Sequence, residues 1–187
     1  MNSHTSIIGE KVMKVIFLDI DGVLATPSSY GKPDQHIPHY LGDKWARRGF
    51  HGIDMDCIRR LNKITDETGA RIVVSSTWRH GTEEDFSDLI SYLHQCGVRG
   101  SIIGRTGSRR QYMSAYRGPY YQRGDECQDW VDEHPEVTNF VCIDDDSDFD
   151  NVKDNFVQVP LGWYNDEGML DEHADKAIEI LQGDTKA

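Results

Sequence analysis

The apolar run Val15-Ile16-Phe17-Leu18 does not alternate with polar residues, and it ends abruptly in Asp19-Ile20-Asp21-Gly22. A short β-branched and aromatic run closed by Asp and Gly reads as a strand buried on both faces that runs into a turn. Side chains alternate along a strand, so Asp19 and Asp21 leave it on the same face, and the turn can then re-aim Asp21. Open α/β sheets take their ligands beyond the C-terminal ends of their strands, which is where these carboxylates emerge.

The rest of the chain repeats the theme. Asp54 can cap a helix with Ile58, Leu61 and Ile64 on one face, ended by Gly69. Ile72-Val73-Val74 is a second buried strand, followed by Ser75-Ser76-Thr77-Trp78-Arg79. Thr82 and Asp85 form a capping-box pattern for a helix carrying Phe86, Leu89, Ile90 and Leu93, and Gly97 stops it. Val98 to Ile103 holds a third strand, and Asp125 to His134 a helix around Trp130 and Val131. Phe140 to Ile143 is a fourth strand, running into Asp144-Asp145-Asp146-Ser147-Asp148. Phe156 to Val159 is a fifth, and Asp171 to Gln182 an amphipathic helix with Ala174, Ala177, Ile178 and Leu181 inward. Strands alternating with helices predict an α/β fold, a three-layer Rossmann-like parallel sheet with helices on both faces.

We read residues 1–12 as a loose arm and 13–187 as one domain. Residues 26–52 form a long insertion, a small flap with Pro27, Pro33, Pro38, His36, His39, Trp45, Arg47 and Arg48. Residues 104–124 form a basic and aromatic loop. The formal net charge of −12 argues against general binding to a nucleic-acid backbone, though not against a local basic site. No stretch has the length of a membrane span and the first residues lack a signal peptide's pattern, so the expectation is a cytoplasmic protein with no membrane partner. Cys57, Cys96, Cys127 and Cys142 lack metal-type spacing and read as reduced thiols.

Three strands end in polar clusters: Asp19 with Asp21, Ser75 with Ser76, and Asp144 with Asp145. In a parallel sheet these ends share one edge and converge. Four carboxylates in one site repel each other unless a cation is present, and an all-oxygen set suits Mg²⁺. Mg²⁺ with few protein ligands usually also holds substrate phosphate oxygens, which points to phosphoryl transfer.

The motifs resemble those of the haloacid-dehalogenase (HAD) superfamily of phosphohydrolases, with agreement of order and spacing from about Lys14 to Asp150. Asp19-Ile20-Asp21-Gly22-Val23 is similar to its first motif, Ser75 to its second, Arg123 (where the family often has Lys) to its third, and Asp144-Asp145 to its acidic fourth. Ser-Ser-Thr-Trp-Arg and Arg-Gly-Asp-Glu narrow the likeness to small phage-like and RNA-repair-associated phosphatase domains. The resemblance implies Asp19 as nucleophile, forming an aspartyl-phosphate, and Asp21 as general acid and then base. It also implies Ser75 as a donor to a phosphoryl oxygen, with Ser76 as the alternative, and Arg123 as the neutralising cation. Asp19, Asp21 (through its backbone carbonyl), Asp145 and Asp144 are the implied Mg²⁺ ligands, Asp144 alternatively standing behind Asp145. An acid at position 21 fits an alkoxide leaving group and not halide, which leaves without a proton.

Between Arg99 and Arg123 stand six arginines and no acidic residue, interleaved with Tyr112, Tyr116, Tyr120 and Tyr121. Arginine forks suit phosphates and tyrosines stack on bases, so Arg109, Arg110 and Arg117 are candidate substrate contacts. The bland alternative is a solvated loop paired with Glu126, Asp129 and Asp132. Arg79 is either a phosphate contact or a structural partner, whereas Trp78 and Trp130 read as packing. The expected activity is Mg²⁺-dependent phosphate monoester hydrolysis on a nucleotide or a phosphorylated nucleic-acid end. The alternatives are a small-metabolite phosphatase and a non-catalytic nucleic-acid-binding module.

Overall fold

In the computed structural model, residues 12–26, 29, 52–107, 122–160 and 167–183 are described. Most of the 26–52 insertion and the 108–121 part of the basic loop, with Arg109, Arg110 and Arg117, lie outside them, as do residues 1–11 of the N-terminal arm.

Among the described residues five strands form one sheet: β1 (Met13–Leu18), β2 (Arg71–Val74), β3 (Ile102–Arg105), β4 (Val137–Asp144) and β5 (Phe156–Gln158). Their order is β3-β2-β1-β4-β5, and every pairing is parallel. Four α-helices among the described residues accompany them: α1 (Met55–Thr68), α2 (Glu83–Gln95), α3 (Arg123–Asp132) and α4 (Asp171–Gln182).

The alternation along β1 divides the core. Ile16 and Leu18 join Leu61 of α1, Leu89 of α2 and Ala177 of α4 on one face. Val15 and Phe17 join Cys127 and Trp130 of α3 on the other. Helices therefore cover both faces, which is why β1 is apolar without interruption from Val15 to Leu18. Phe17 meets Trp130 edge-on at 5.6 Å between ring centroids. No helix among the described residues is long and apolar enough to cross a membrane.

Local signals act as the sequence predicts at three helix ends. Asp54 accepts from the Asp56 N–H, Gly69 closes α1 at φ 68°, and Thr82 with Asp85 makes the reciprocal capping box of α2. The third strand differs, starting at Ile102 and not at Val98. Gly97 takes φ 101°, its N–H reaches the His94 carbonyl, and the Val98 N–H reaches that of Leu93. This is a Schellman closure, which spends Val98 on a buried contact with the helix it ends. Helix α3 also begins two residues before the expected Asp125, which puts Arg123 in its first turn.

Candidate active site

The order of the sheet reverses between β1 and β4, so a crevice is expected where those two strands end. Asp19 follows β1 and is tied to β4 by its N–H to the Ile143 carbonyl at 3.0 Å. Asp144 closes β4 and is fully buried. Arg123, from α3, donates through Nη1 to Asp19 Oδ1 at 2.9 Å and to Asp144 Oδ2 at 2.7 Å. Asp144 Oδ1 is held by the Asp146 N–H at 2.9 Å. Asp19, Asp144 and Asp145 each bring a carboxylate oxygen within 4.8 Å of the others.

Burial first, and then repulsion from Asp144, hold the Asp19 carboxyl well above its ordinary range, although Arg123 pulls the other way. Burial likewise pushes Asp144 up to about 6, against the same guanidinium. Burial works against the charge of Arg123, but Asp144, Asp19 and Asp148 outweigh it and drive its pKa further up. Three carboxylates against one guanidinium leave surplus negative charge in a buried, all-oxygen site. That surplus fits a hard divalent cation.

Gly22 makes room for this arrangement. It takes φ +75°, and a Cβ on it would lie 2.2 Å from Asp145 Oδ2. Gly22→Ala is expected to push Asp145 out of the carboxylate group, lowering that group's affinity for a divalent cation about ten-fold or more. A Mg²⁺ titration followed by thermal shift checks this, and unchanged binding would show that Asp145 is free to move aside.

Beyond Gly22 the chain folds back, with Gly22 N–H on the Ala25 carbonyl at 2.8 Å and Ala25 N–H on that of Ile20 at 2.8 Å. Ala25 also bridges Ile53, and the Asp54 N–H reaches the Leu24 carbonyl at 2.7 Å. The two ends of the long insertion are thus joined beside Asp21.

Ser75 and Ser76 follow β2 beside these residues, both N–H groups on the Leu18 carbonyl, at 3.0 and 3.3 Å. Ser76 Oγ also accepts from the Trp78 N–H at 3.4 Å. The side chain of Asp21 does not join the three clustered carboxylates; Oδ2 accepts from the Trp78 indole N–H at 2.8 Å. Trp78 is therefore more than the packing residue its hydrophobicity suggests.

Arg79 is 4% exposed and its five N–H groups are all engaged. Nε donates to the Thr106 carbonyl, Nη1 to those of Ser75 and Ser76, and Nη2 to that of Gly107 and to Glu126 at 2.5 Å. Of the two readings open for Arg79, this geometry supports structural partner; no donor is left for a substrate. It clamps the ends of β2 and β3 to α3. Sequence reasoning also missed Glu126 in this role and Asp148, whose Oδ2 accepts from the Arg123 N–H at 3.0 Å and whose carbonyl accepts from Gly124 N–H at 3.1 Å. Gly124 lets that loop approach, since a Cβ there would lie 2.2 Å from Asn151 Oδ1.

A family described as the HAD domain in Swiss Army Knife RNA repair proteins matches residues 15–174. No curated protein and no solved structure matches the chain.

Proposed function

The chain belongs to the family of HAD domains found in Swiss Army Knife RNA repair proteins, and from that premise we propose that it is a Mg²⁺-dependent phosphate monoester hydrolase acting on a nucleotide or the phosphorylated end of a nucleic acid. The observation that carries the reading is one guanidinium shared by Asp19 and Asp144, where the order of the sheet reverses between β1 and β4.

Asp19 is the nucleophile. Its carboxylate forms the new bond to phosphorus as the bond to the ester oxygen breaks, and Asp21 gives that oxygen a proton. The alcohol leaves and an aspartyl-phosphate remains. Water then attacks phosphorus, Asp21 takes its proton, the bond to Asp19 breaks, and inorganic phosphate is released. Arg123 offsets the charge between nucleophile and phosphoryl group, and Ser75 or Ser76 donates to a phosphoryl oxygen. Asp19, Asp144, Asp145 and the backbone carbonyl of Asp21 would hold Mg²⁺, which supplies charge neutralisation of the phosphoryl oxygens. Arg109, Arg110 and Arg117 are assigned to the substrate's further phosphates.

Phosphate release with Mg²⁺ from a 3′-phosphorylated oligonucleotide, a 5′-phosphorylated one, mononucleotides and a sugar phosphate tests the substrate class. Preference for an oligonucleotide end or a nucleotide supports the reading. Release from the sugar phosphate alone would make it a metabolite phosphatase.

Cation binding carries a pH signature. Asp144 ionises near pH 6 when folded, against an ordinary 3.8, so without a cation stability falls as pH rises through that interval. Protons compete with the cation for the same oxygens. Mg²⁺ should therefore raise the melting temperature strongly at about pH 7.5 and much less at about pH 5. An equal shift at both values would place the cation elsewhere.

A further inference from the structure

The short turn Thr77–Arg79 after β2 is fixed from both sides. Ser76 caps it by accepting the Trp78 N–H, and the Arg79 N–H reaches the Ser76 carbonyl at 3.1 Å. The Trp78 indole is 2% exposed and stacks on Tyr92, with centroids 6.3 Å apart and planes at 29°. A buried indole N–H needs an acceptor, and an indole has only two side-chain torsions to fix. Here the acceptor is Asp21 Oδ2 at 2.8 Å, 57 residues away in sequence. The backbone of Asp21 is held separately, by its bridge to Ala25.

We propose that Trp78 is a positioning residue for Asp21: its indole N–H holds Oδ2 as an acceptor, so that proton exchange with substrate and water runs through Oδ1. The proposal rests on the role of Asp21 in the hydrolase reading. An indole suits the task because it orients a carboxyl without adding charge. A lysine or arginine in its place would stabilise the carboxylate and hinder proton donation.

Such a role depends on the leaving group. An aryl phosphate expels a phenolate that needs little help from an acid, whereas a nucleoside or oligonucleotide alkoxide needs a proton as the P–O bond breaks. Single-turnover release of the leaving group is compared for p-nitrophenyl phosphate and a 3′-phosphorylated oligonucleotide, in wild type and Trp78→Phe. The variant is expected to lose about ten times more rate on the oligonucleotide than on the aryl ester. Equal losses on both, or no loss, would overturn the proposal. Replacing the indole with benzothiophene keeps the ring's shape and removes only the N–H; it should reproduce the Phe result, and wild-type rates in that variant would trace the Phe loss to packing and overturn the proposal.

A second readout is independent of turnover. The indole N–H resonance of Trp78, assigned by its disappearance in Trp78→Phe, should exchange with solvent faster and shift in Asp21→Ala. An unmoved resonance would overturn the contact itself. Absence of leaving-group release from both esters in wild type would instead remove the hydrolase reading, and the resonance would still decide the contact.

Discussion

Asp19→Asn is expected to reduce phosphate release by about a thousand-fold or more while leaving the protein folded and no less stable. The amide has nearly the shape of the carboxylate, and its oxygen can still accept from Arg123 Nη1, now 2.9 Å from Asp19 Oδ1. It lacks the carboxylate charge that the proposed attack on phosphorus requires. Stability should hold or rise at neutral pH, because burial and Asp144 make ionisation of Asp19 costly. Phosphate release and thermal melting on the same preparation check both halves. Residual activity within about ten-fold of wild type would remove Asp19 as the nucleophile.

Arg79→Ala should produce the largest loss of stability. The pair Arg79–Glu126 is buried on both sides, at 4% and 6% exposure. Removing the guanidinium takes the cation away from the buried Glu126 carboxylate and removes a donor from the Ser75, Ser76, Thr106 and Gly107 carbonyls. Breaking one side of a buried pair costs about 3–5 kcal/mol, which in a chain of this size lowers the melting temperature by about 6–20 °C. Burial pulls the Arg79 pKa down and Glu126 holds it up, so the charge depends on that partner. Arg79→Lys should rescue little, since one ammonium cannot reach carbonyls on two segments and the Glu126 carboxylate on a third. Adding Glu126→Gln to Arg79→Ala should recover part of the loss. A melting temperature within about 2 °C of wild type in Arg79→Ala would show that the clamp is dispensable.

The layers and the converging strand ends were legible because they depend on short-range signals. Ile72-Val73-Val74 could bury both faces only in a covered sheet, and carboxylates at strand ends in a parallel sheet must share an edge. Arg123 next to Asp19 and Asp144 was anticipated from a motif, and 104 residues separate it from Asp19. The third strand begins only at Ile102, near the end of the stretch expected to hold it, and runs on to Arg105; Val98 looks like any strand valine, while the glycine before it commits it to ending α2. The hidden features have long-range partners. Nothing near Trp78 announces that its N–H ends on Asp21. Glu126 looked like a surface mate for the basic loop but pairs with a buried arginine 47 residues earlier. Charge alone does not tell a solvated face from a buried clamp.

The most direct test follows the phosphoryl group itself. Asp21→Asn keeps the proposed nucleophile but lacks the proposed base that activates water, so a labelled aryl phosphate should phosphorylate this variant faster than the phosphoryl group is hydrolysed from it. The account predicts a burst of phenol equal to the enzyme present, little free phosphate, and one phosphoryl group on the peptide bearing Asp19. Phenol and phosphate released together, with no label on the protein, would contradict it.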